Sequence, residues 1–176
     1  WPFRRQRQMC IRDSAPTVCV GKNYVDVANF DKVKKTIDEK NFDPFIPDYI
    51  NLSSYKKNGG YEIVKKIKNG AISKKQVLDS LNESGLKGKG GAGFPTGKKW
   101  EIVSNYNGKK YVAVNGDEGE PGTFKDRSYL ESDPHRFLEG ALIASYFINA
   151  QKVYIYMRDE YPTVIKILLD EINKME

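Results

Sequence analysis

The sequence is organised around a glycine-rich loop that reads Gly85-Leu-Lys-Gly-Lys-Gly-Gly-Ala-Gly-Phe-Pro-Thr-Gly-Lys-Lys99. This glycine loop (residues 85–99) contains six glycines and four lysines. A packed helix or strand does not tolerate so much glycine, because each glycine loses more chain entropy on folding and offers no side chain for packing. A loop of this kind brings backbone N–H groups close to a ligand, and lysines favour an anionic ligand such as a phosphate. The alternative is a mobile loop without a ligand.

Three glycines of the loop, Gly88, Gly90 and Gly93, match the dinucleotide pattern G-x-G-x-x-G. The pattern identifies a Rossmann site only when a strand precedes it and a helix follows it. Here residues 73–84 have a helical pattern, and Phe94 followed by proline is a poor start for a helix. We therefore do not expect a standard Rossmann fingerprint.

Downstream of the loop, two short apolar runs, residues 111–115 and 153–157, predict buried strands of a parallel sheet. Between them, residues 137–148 have an apolar helical face long enough for a crossover connection. Pro162 suits the first turn of a last helix. The predicted inner face of that helix comprises Ile165, Leu168, Leu169 and Ile172. The order strand, helix, strand, helix predicts an α/β domain over residues 85–176, with a parallel sheet and flanking helices. We expect the sheet to be incomplete, because two strands alone make no stable parallel sheet.

The segment before the loop, residues 15–84, predicts a small helical scaffold region. Helical apolar patterns cover residues 29–40, 61–68 and 73–84. Ser73 is a suitable N-cap for the last of them. Residues 41–54 contain two prolines and predict irregular structure. Residues 100–103 fit a helix or a strand equally well.

Composition and single residues exclude several function classes. The 176-residue chain carries a formal charge of +6, of which residues 1–14 contribute +3. That segment resembles translated adapter sequence, so we interpret it as a disordered tail outside the fold. The rest is only mildly basic, and we expect no nucleic-acid partner. We expect neither a signal peptide nor membrane insertion, because no apolar run is long enough. Cys10 and Cys19 lack metal-ligand spacing, and His135, the only histidine, has a helix-start context.

Polar residues follow both predicted strands, as residues 115–122 and residues 158–160. The carboxyl ends of strands are the edge at which open α/β sheets bind ligands. Asp117, Glu118 and Glu120 could bind Mg²⁺ or Ca²⁺, or accept hydrogen bonds from sugar hydroxyls beside a phosphate. A solvated acidic turn is the third interpretation, and these residues alone leave all three open.

Four motifs in this order resemble the family of FMN- and NADH-binding flavoprotein subunits of respiratory complex I, which includes the diaphorase subunits of NAD-linked formate dehydrogenases and hydrogenases. They read Leu86-Lys-Gly-Lys-Gly-Gly-Ala-Gly-Phe-Pro-Thr-Gly-Lys-Lys-Trp100, Asn115-Gly-Asp-Glu-Gly-Glu-Pro-Gly-Thr-Phe-Lys-Asp-Arg127, Asp133-Pro-His135 and Tyr154-Ile-Tyr-Met-Arg-Asp-Glu-Tyr161. The resemblance covers roughly residues 51–176 and implies a Rossmann-like FMN-binding domain, here as a fragment of a longer protein.

The resemblance implies roles for the matching residues. FMN would be bound by Gly88, Lys89, Gly90, Gly91, Lys99, Asn115, Asp117, Glu118, Tyr156 and Glu160. Within this set, the loop residues wrap the cofactor, and the polar residues after the first strand hydrogen-bond its ribityl chain and ring region. Phe94 would stack on a ring of NADH, and Glu120 would help to place the nicotinamide.

The resemblance also implies the reaction and the partners. Hydride passes from NADH to FMN, and iron–sulfur clusters then take the electrons one at a time. The cysteine ligands of the family's 4Fe-4S cluster are absent from this sequence, so the fragment alone is expected to be inactive. The complete protein would work in the cytoplasm with other subunits of an NADH-linked oxidoreductase, peripheral to a membrane.

This sequence departs from the family at three positions. Lys89 replaces an arginine, Gly116 replaces an alanine and Asp159 replaces a glycine. The last two, with Tyr161-Pro162, favour the formate-dehydrogenase branch. Two other classes stay open: a non-catalytic module that binds a nucleotide or a metal, and an interaction protein with a basic surface.

The predicted geometry places the glycine loop over the carboxyl ends of both strands. Lys99 would then lie near Asp117, Glu118 and Glu160. Without a ligand, we expect the lysines of the loop and these carboxylates to neutralise each other partly across an open cleft.

Overall fold

The structure is a computed structural model that describes residues 16–89, 91–120 and 122–175. Our interpretation of residues 1–14 and the predicted role of Gly90 lie outside these residues. The elements in chain order are β1 (Val18–Val20), β2 (Asn23–Val25), α1 (Phe30–Asp38), α2 (Leu52–Lys57), α3 (Glu62–Lys68), α4 (Lys74–Glu83), α5 (Thr96–Ser104), β3 (Tyr111–Gly116), α6 (Lys125–Ser132), α7 (Pro134–Ile148), β4 (Lys152–Met157) and α8 (Pro162–Asn173). Within the described ranges, each helix is too short or too polar to cross a membrane.

The segment before the glycine loop contains α1 to α4, but it begins with an unpredicted antiparallel hairpin of β1 and β2. α2 begins inside residues 41–54, which we expected to be irregular throughout. It starts there because the side chain of Asn51 caps it and accepts the N–H of Ser54 at 3.0 Å. α4 begins after its predicted cap Ser73, which forms a reciprocal capping box with Gln76.

β3 and β4 lie side by side and parallel, which confirms the predicted pairing. Tyr111 stands opposite Lys152, and Asn115 stands opposite Tyr156. Residues along both strands alternate between exposed and less exposed positions. α7 packs against both strands, and Ile155 contacts the core on the covered face. The expectation of fully buried strands is therefore wrong, because helices cover one face of this two-stranded sheet and leave the other exposed.

The glycine loop follows α4, and its last four residues, 96–99, form the start of α5. α5 begins directly after Pro95, so residues 100–103 are helical and our expectation of a poor helix start is wrong. The reason is that the N–H of Thr96 donates to the carbonyl of Leu86 at 2.9 Å, which satisfies a helix-terminal donor without a side-chain cap. Since α4 precedes the loop, the loop is not the strand–loop–helix of a Rossmann fingerprint, and that prediction is confirmed.

The hydrophobic core lies among α6, α7, α8 and the covered face of the sheet. Its buried residues are Leu130, Leu138, Tyr161, Val164 and Leu168. The buried residues of α8 are Thr163, Val164, Ile167, Leu168 and Glu171, which form a face shifted by about one residue from the predicted one. Leu169, predicted to be inside, is 57% exposed. Leu168 is buried and Ile172 packs against the core, as predicted, but the buried Glu171 was missed because an apolar pattern does not assign a glutamate to a buried position.

Glu171 is fully buried at the centre of a hydrogen-bond network. Its carboxylate is contacted by the hydroxyl of Tyr49, the N–H of Leu52, Nε2 of His135 and Nζ of Lys174. The other ring nitrogen of His135 lies 2.8 Å from the hydroxyl of Tyr61. This Glu171 network (Tyr49, Leu52, Tyr61, His135, Glu171 and Lys174) joins the segment before the glycine loop to α7 and α8. His135 is the second residue of α7, as its context predicted, and its side chain is structural.

Candidate functional site

The glycine loop is closed at its base by backbone hydrogen bonds. The N–H of Gly88 donates to the carbonyl of Phe94 at 2.9 Å, next to the bond from Thr96 to Leu86. Gly91 and Gly93 have φ angles of +102° and +61°. These left-handed conformations favour glycine, and a Cβ atom on either residue would meet no other atom within 4 Å. The tip of the loop is therefore shaped by its backbone and stands in open space.

The tip carries backbone donors that the described part of the chain leaves without an acceptor. Among residues 16–89, 91–120 and 122–175, no oxygen accepts the N–H of Lys89, Gly91 or Ala92. These three residues are exposed, so the side chain of Lys89 adds a positive charge beside free N–H groups. Consecutive free N–H groups in a loop of this kind form a concave site for an anion. The donor set therefore fits the phosphate of a mononucleotide such as FMN.

Beside the loop, an open cleft of about 350 Å³ is lined by Phe94, Lys99, Ile102 and Val103. The ring of Phe94 is 47% exposed. Phe94 makes no ring contact with another aromatic side chain of the described residues. An exposed aromatic ring next to a lysine can stack on a base or nicotinamide while the lysine meets a phosphate or a ribose oxygen.

The turn after β3 presents polar side chains to solvent. Asn115, Asp117 and Glu120 are exposed. Oδ1 of Asn115 accepts the N–H of Asp117 at 3.0 Å, which fixes the start of the turn. The carboxylates of Asp117 and Glu120 form no ion pair with another described residue. Both side chains are thus free to accept hydrogen bonds from a ligand.

Glu118 differs from its neighbours because it is buried, with 7% of its surface exposed. Its carboxylate accepts the N–H groups of Asp126 and Arg127 at 3.1 and 3.3 Å, at the start of α6. A carboxylate in this position satisfies unpaired helix donors and interacts favourably with the helix dipole. The hydroxyl of Tyr161 also donates to it at 3.3 Å. The structure therefore gives Glu118 protein partners where the resemblance implied a flavin contact.

The end of β4 combines an exposed aromatic ring with an ion pair. Tyr156 is 64% exposed on the uncovered face of the sheet. Glu160 is held by Arg158, whose Nη2 and Nε lie 2.9 and 3.1 Å from its two carboxylate oxygens. Hydrogen bonds from Arg158 lower the pKa of Glu160 to about 2. Glu160 therefore stays ionised at neutral pH.

The expected neutralisation across the cleft does not take the form of direct ion pairs. In the part of the chain that the structure describes, no lysine of the glycine loop pairs with Asp117, Glu118 or Glu160. The reason is that Glu118 caps α6 and Glu160 pairs with Arg158. The metal interpretation also lacks support, because the described residues contain no group of three or more His, Cys, Asp or Glu side chains that could hold an ion.

Sequence reasoning missed two residues at this edge of the sheet, Arg158 and Tyr161. Nη1 of Arg158 donates to the backbone carbonyl of Glu118, and its guanidinium lies over the ring of Tyr161, 5.2 Å from the centroid. One sequence feature could have indicated Arg158: an arginine directly after a predicted strand, followed two residues later by a glutamate. The hydrogen bond from Arg158 to the carbonyl of Glu118 leaves no local pattern in the sequence, because 40 residues separate the two partners.

Comparisons with known proteins identify the family to which this chain belongs. Residues 81–176 match the family described as the Nuo51 FMN-binding domain. The chain is 46% identical over 128 residues to an NADH-quinone oxidoreductase subunit of Aquifex aeolicus, and 47% identical over 122 residues to an NADH-quinone oxidoreductase subunit of Rhizobium meliloti. These alignments cover 73% and 69% of the chain but only 30% and 29% of the two relatives. The chain therefore spans about three tenths of their length.

The fold has a counterpart among solved structures. The NAD+-reducing NiFe hydrogenase in its air-oxidised state superposes with a TM-score of 0.70 at 24% sequence identity. The match covers 93% of this chain and 31% of the hydrogenase chain. This likeness supports the predicted α/β class with a Rossmann-like arrangement of parallel strands and flanking helices.

Proposed function

Because this chain belongs to the family of the Nuo51 FMN-binding domain, we propose that it contributes part of the FMN and NADH site of an NADH-oxidising flavoprotein. The observation that carries the proposal is the closed glycine loop, whose tip offers unpaired N–H groups beside Lys89. Buried or ordered backbone donors are normally paired, so a projecting row of free donors in a glycine-rich loop is suited to an anion. The phosphate of FMN is such an anion.

Residues of the loop and of the two strand ends bind different parts of the ligands. The N–H groups of the loop and the side chains of Lys89 and Lys99 hold the phosphate. Asn115 and Asp117 hydrogen-bond the ribityl chain and ring region, and Tyr156 and Glu160 approach from β4. Bound FMN supplies the hydride-accepting chemistry, which the protein controls by orientation and electrostatics.

The NADH side of the site consists of Phe94 and Glu120. Phe94 presents an exposed ring in the cleft beside Lys99, which suits stacking on a ring of NADH. Glu120 has an exposed carboxylate that can hydrogen-bond the nicotinamide carboxamide. Glu118 supports the site through α6, since the N-terminal N–H groups of that helix occupy its carboxylate.

The complete protein works as one member of a larger assembly. The names of the relatives, which are NADH-quinone oxidoreductase subunits and an NAD+-reducing hydrogenase, describe proteins that exchange electrons with NAD(H). We place this protein in such a complex in the cytoplasm, peripheral to the membrane, with iron–sulfur clusters that include a 4Fe-4S cluster as the next electron carriers. The sequence variants at Gly116 and Asp159 favour the formate-dehydrogenase branch.

The test uses the complete protein and two matched substitutions. Lys99→Ala should weaken FMN retention, because it removes a cation from the phosphate side, whereas Glu120→Gln should retain FMN and slow NADH oxidation. Lys98→Ala is the control, because Lys98 is an exposed neighbour on α5 that does not line the cleft. FMN content is measured by visible absorption after gel filtration, and NADH oxidation by flavin bleaching.

Two outcomes would contradict the proposal in different ways. Loss of FMN in Glu120→Gln together with full retention in Lys99→Ala would reverse the division between cofactor and substrate residues. Binding of FMN without any bleaching by NADH would favour a non-catalytic nucleotide-binding module.

A further inference from the structure

One side chain connects the two strand ends that form the candidate site. Arg158, directly after β4, donates from Nη1 to the backbone carbonyl of Glu118, after β3. Its Nη2 and Nε donate to the two carboxylate oxygens of Glu160 at 2.9 and 3.1 Å. Three donors of one guanidinium therefore fix a backbone position on one strand end and a carboxylate on the other.

The surroundings of Arg158 keep this arrangement in place. The guanidinium lies 5.2 Å from the ring centroid of Tyr161, and the guanidinium of Arg127 lies 5.8 Å from the same centroid. Tyr161 is buried and donates to the carboxylate of Glu118, which also caps α6. The side chain of Arg158 is 24% exposed and that of Glu160 is 61% exposed, so the pair is anchored from its arginine side.

The contacts of Arg158 with Glu118 and Glu160 require an arginine, and another cationic side chain cannot replace it. A guanidinium is a planar fork that can meet both oxygens of a carboxylate and still direct a further N–H elsewhere. A lysine at the same place offers one compact ammonium and cannot hold both partners in this geometry. The parallel ladder of β3 and β4 has its own hydrogen bonds, so the sheet does not depend on Arg158.

We propose that Arg158 is a positioning residue of the nucleotide site, which acts by aligning Glu160 and the turn after β3 with each other. This inference rests on the proposed function, because it takes both strand ends as the surface that meets FMN. Without Arg158, the strands still pair, but the carboxylate of Glu160 rotates freely and the carbonyl of Glu118 loses its donor. The site then binds FMN in a looser geometry.

The test compares Arg158→Lys and Arg158→Ala with the unchanged complete protein, freed of flavin and titrated with FMN by fluorescence quenching. Both variants should bind FMN about tenfold more weakly, which corresponds to the loss of charge-assisted hydrogen bonds. The lysine variant separates the two possible roles, because it retains the positive charge but not the fork. Arg136→Ala is the control, since the side chain of Arg136 is 81% exposed at the start of α7, where it pairs with the capping residue Asp133. Circular dichroism should show an unchanged fold in every variant.

A second readout is the pH dependence of the affinity ratio between variant and unchanged protein, in which the titration of FMN itself cancels. Freed from Arg158, Glu160 should titrate in its ordinary range and lose its ionised form first in the variant. The affinity of the variant relative to that of the unchanged protein should therefore decrease further as pH falls toward about 4.5. The other titratable or charged groups around Glu160 are Tyr24, Asp159 and Tyr161.

The possible outcomes distinguish this inference from the proposed function. If the unchanged protein binds no FMN, the proposed function itself is wrong. If it binds FMN and Arg158→Lys binds equally well with a constant affinity ratio across pH, the proposed function stands and Arg158 does not position the site.

Discussion

The Glu171 network and the glycine loop are both rich in polar groups, but they treat these groups in opposite ways. Every carboxylate oxygen of Glu171 accepts hydrogen bonds inside the protein, and none of its surface is exposed. At the tip of the glycine loop, the N–H groups of Lys89, Gly91 and Ala92 are exposed and have no acceptor among the described residues. Both regions contain charged side chains, and only the second leaves its hydrogen-bonding capacity unused.

The difference shows how to separate structural polar groups from ligand-binding ones in this molecule. A buried carboxylate with four partners contributes to stability and would be costly to expose or neutralise. A loop with free donors contributes little to stability and is available to a ligand. Glu118 belongs to the first kind although it stands between two residues of the second kind, Asp117 and Glu120.

The largest expected effect on stability is that of Glu171→Gln. The amide places an NH₂ group where one carboxylate oxygen accepted two hydrogen bonds, so two of the four partners lose their acceptor, and the free energy of unfolding should fall by about 3–5 kcal/mol. Urea denaturation of the chain measures this change. The control is Glu62→Gln, because Glu62 forms an exposed pair with Lys65 and its loss should leave the free energy of unfolding nearly unchanged. Equal effects in the two variants would mean that the network does not stabilise the fold.

Acid should weaken the same network. Burial raises the pKa of Glu171, but hydrogen bonds from Lys174, Tyr49, His135 and Leu52 lower it overall, from 4.5 to about 2. Since the folded-state pKa is the lower one, the ionised carboxylate stabilises the fold above about pH 4.5, and this contribution is lost as pH falls from about 4.5 toward about 2. Its size is on the order of 3 kcal/mol. Denaturation midpoints at a series of pH values should fall less in Glu171→Gln than in the unchanged chain, and parallel curves would contradict the assignment.

Gly116→Ala should have an intermediate effect at the end of β3. A Cβ atom on Gly116 would lie 2.3 Å from Sδ of Met157 and 3.0 Å from the carbonyl oxygen of Tyr156. The side chain of Met157 must therefore adopt another rotamer, while the nearby backbone leaves little room for the new methyl group. The free energy of unfolding should fall by about 1–3 kcal/mol. In a double-mutant cycle with Met157→Ala, part of this cost should disappear. If the two substitutions lowered the free energy of unfolding additively, Met157 would not be in steric conflict with the new methyl group.

The smallest expected effect on stability is that of Lys89→Ala, because Lys89 is exposed in a loop with few protein contacts. The free energy of unfolding should change by less than about 0.5 kcal/mol, whereas FMN affinity in the complete protein should fall severalfold. Lys75→Ala, a change of an exposed lysine at the start of α4, should alter neither quantity. A stability loss without a change in FMN affinity would place Lys89 among the structural residues.

Sequence patterns predicted the elements whose signals are local. The apolar runs of β3 and β4 and the helix between them predicted a parallel pair, because a crossover of that length leaves one common topology. Ser73 predicted the start of α4, since N-cap preferences depend on nearby donors. The glycine loop was identified from composition alone.

The residues that escaped prediction depend on partners distant in sequence. Glu171 is buried by contacts with Tyr49 and His135, which lie 122 and 36 residues away, so an apolar pattern placed the inner face of α8 one residue out of phase. Glu118 was grouped with its exposed neighbours because its bond to α6 spans eight residues and matches no capping motif. α6 itself has little apolar periodicity. In each case, tertiary hydrogen bonds determine the structure, and a linear pattern does not contain them.

Amide hydrogen exchange of the complete protein, with and without FMN, tests most directly whether the free donors of the glycine loop bind the cofactor. The unpaired N–H groups of Lys89, Gly91 and Ala92 should exchange rapidly without FMN and become protected when it binds. The turn after β3 should also become more protected when FMN binds. Segments of the Glu171 network should show no change, because their donors are already paired. FMN binding that leaves exchange in the loop unchanged would contradict the account.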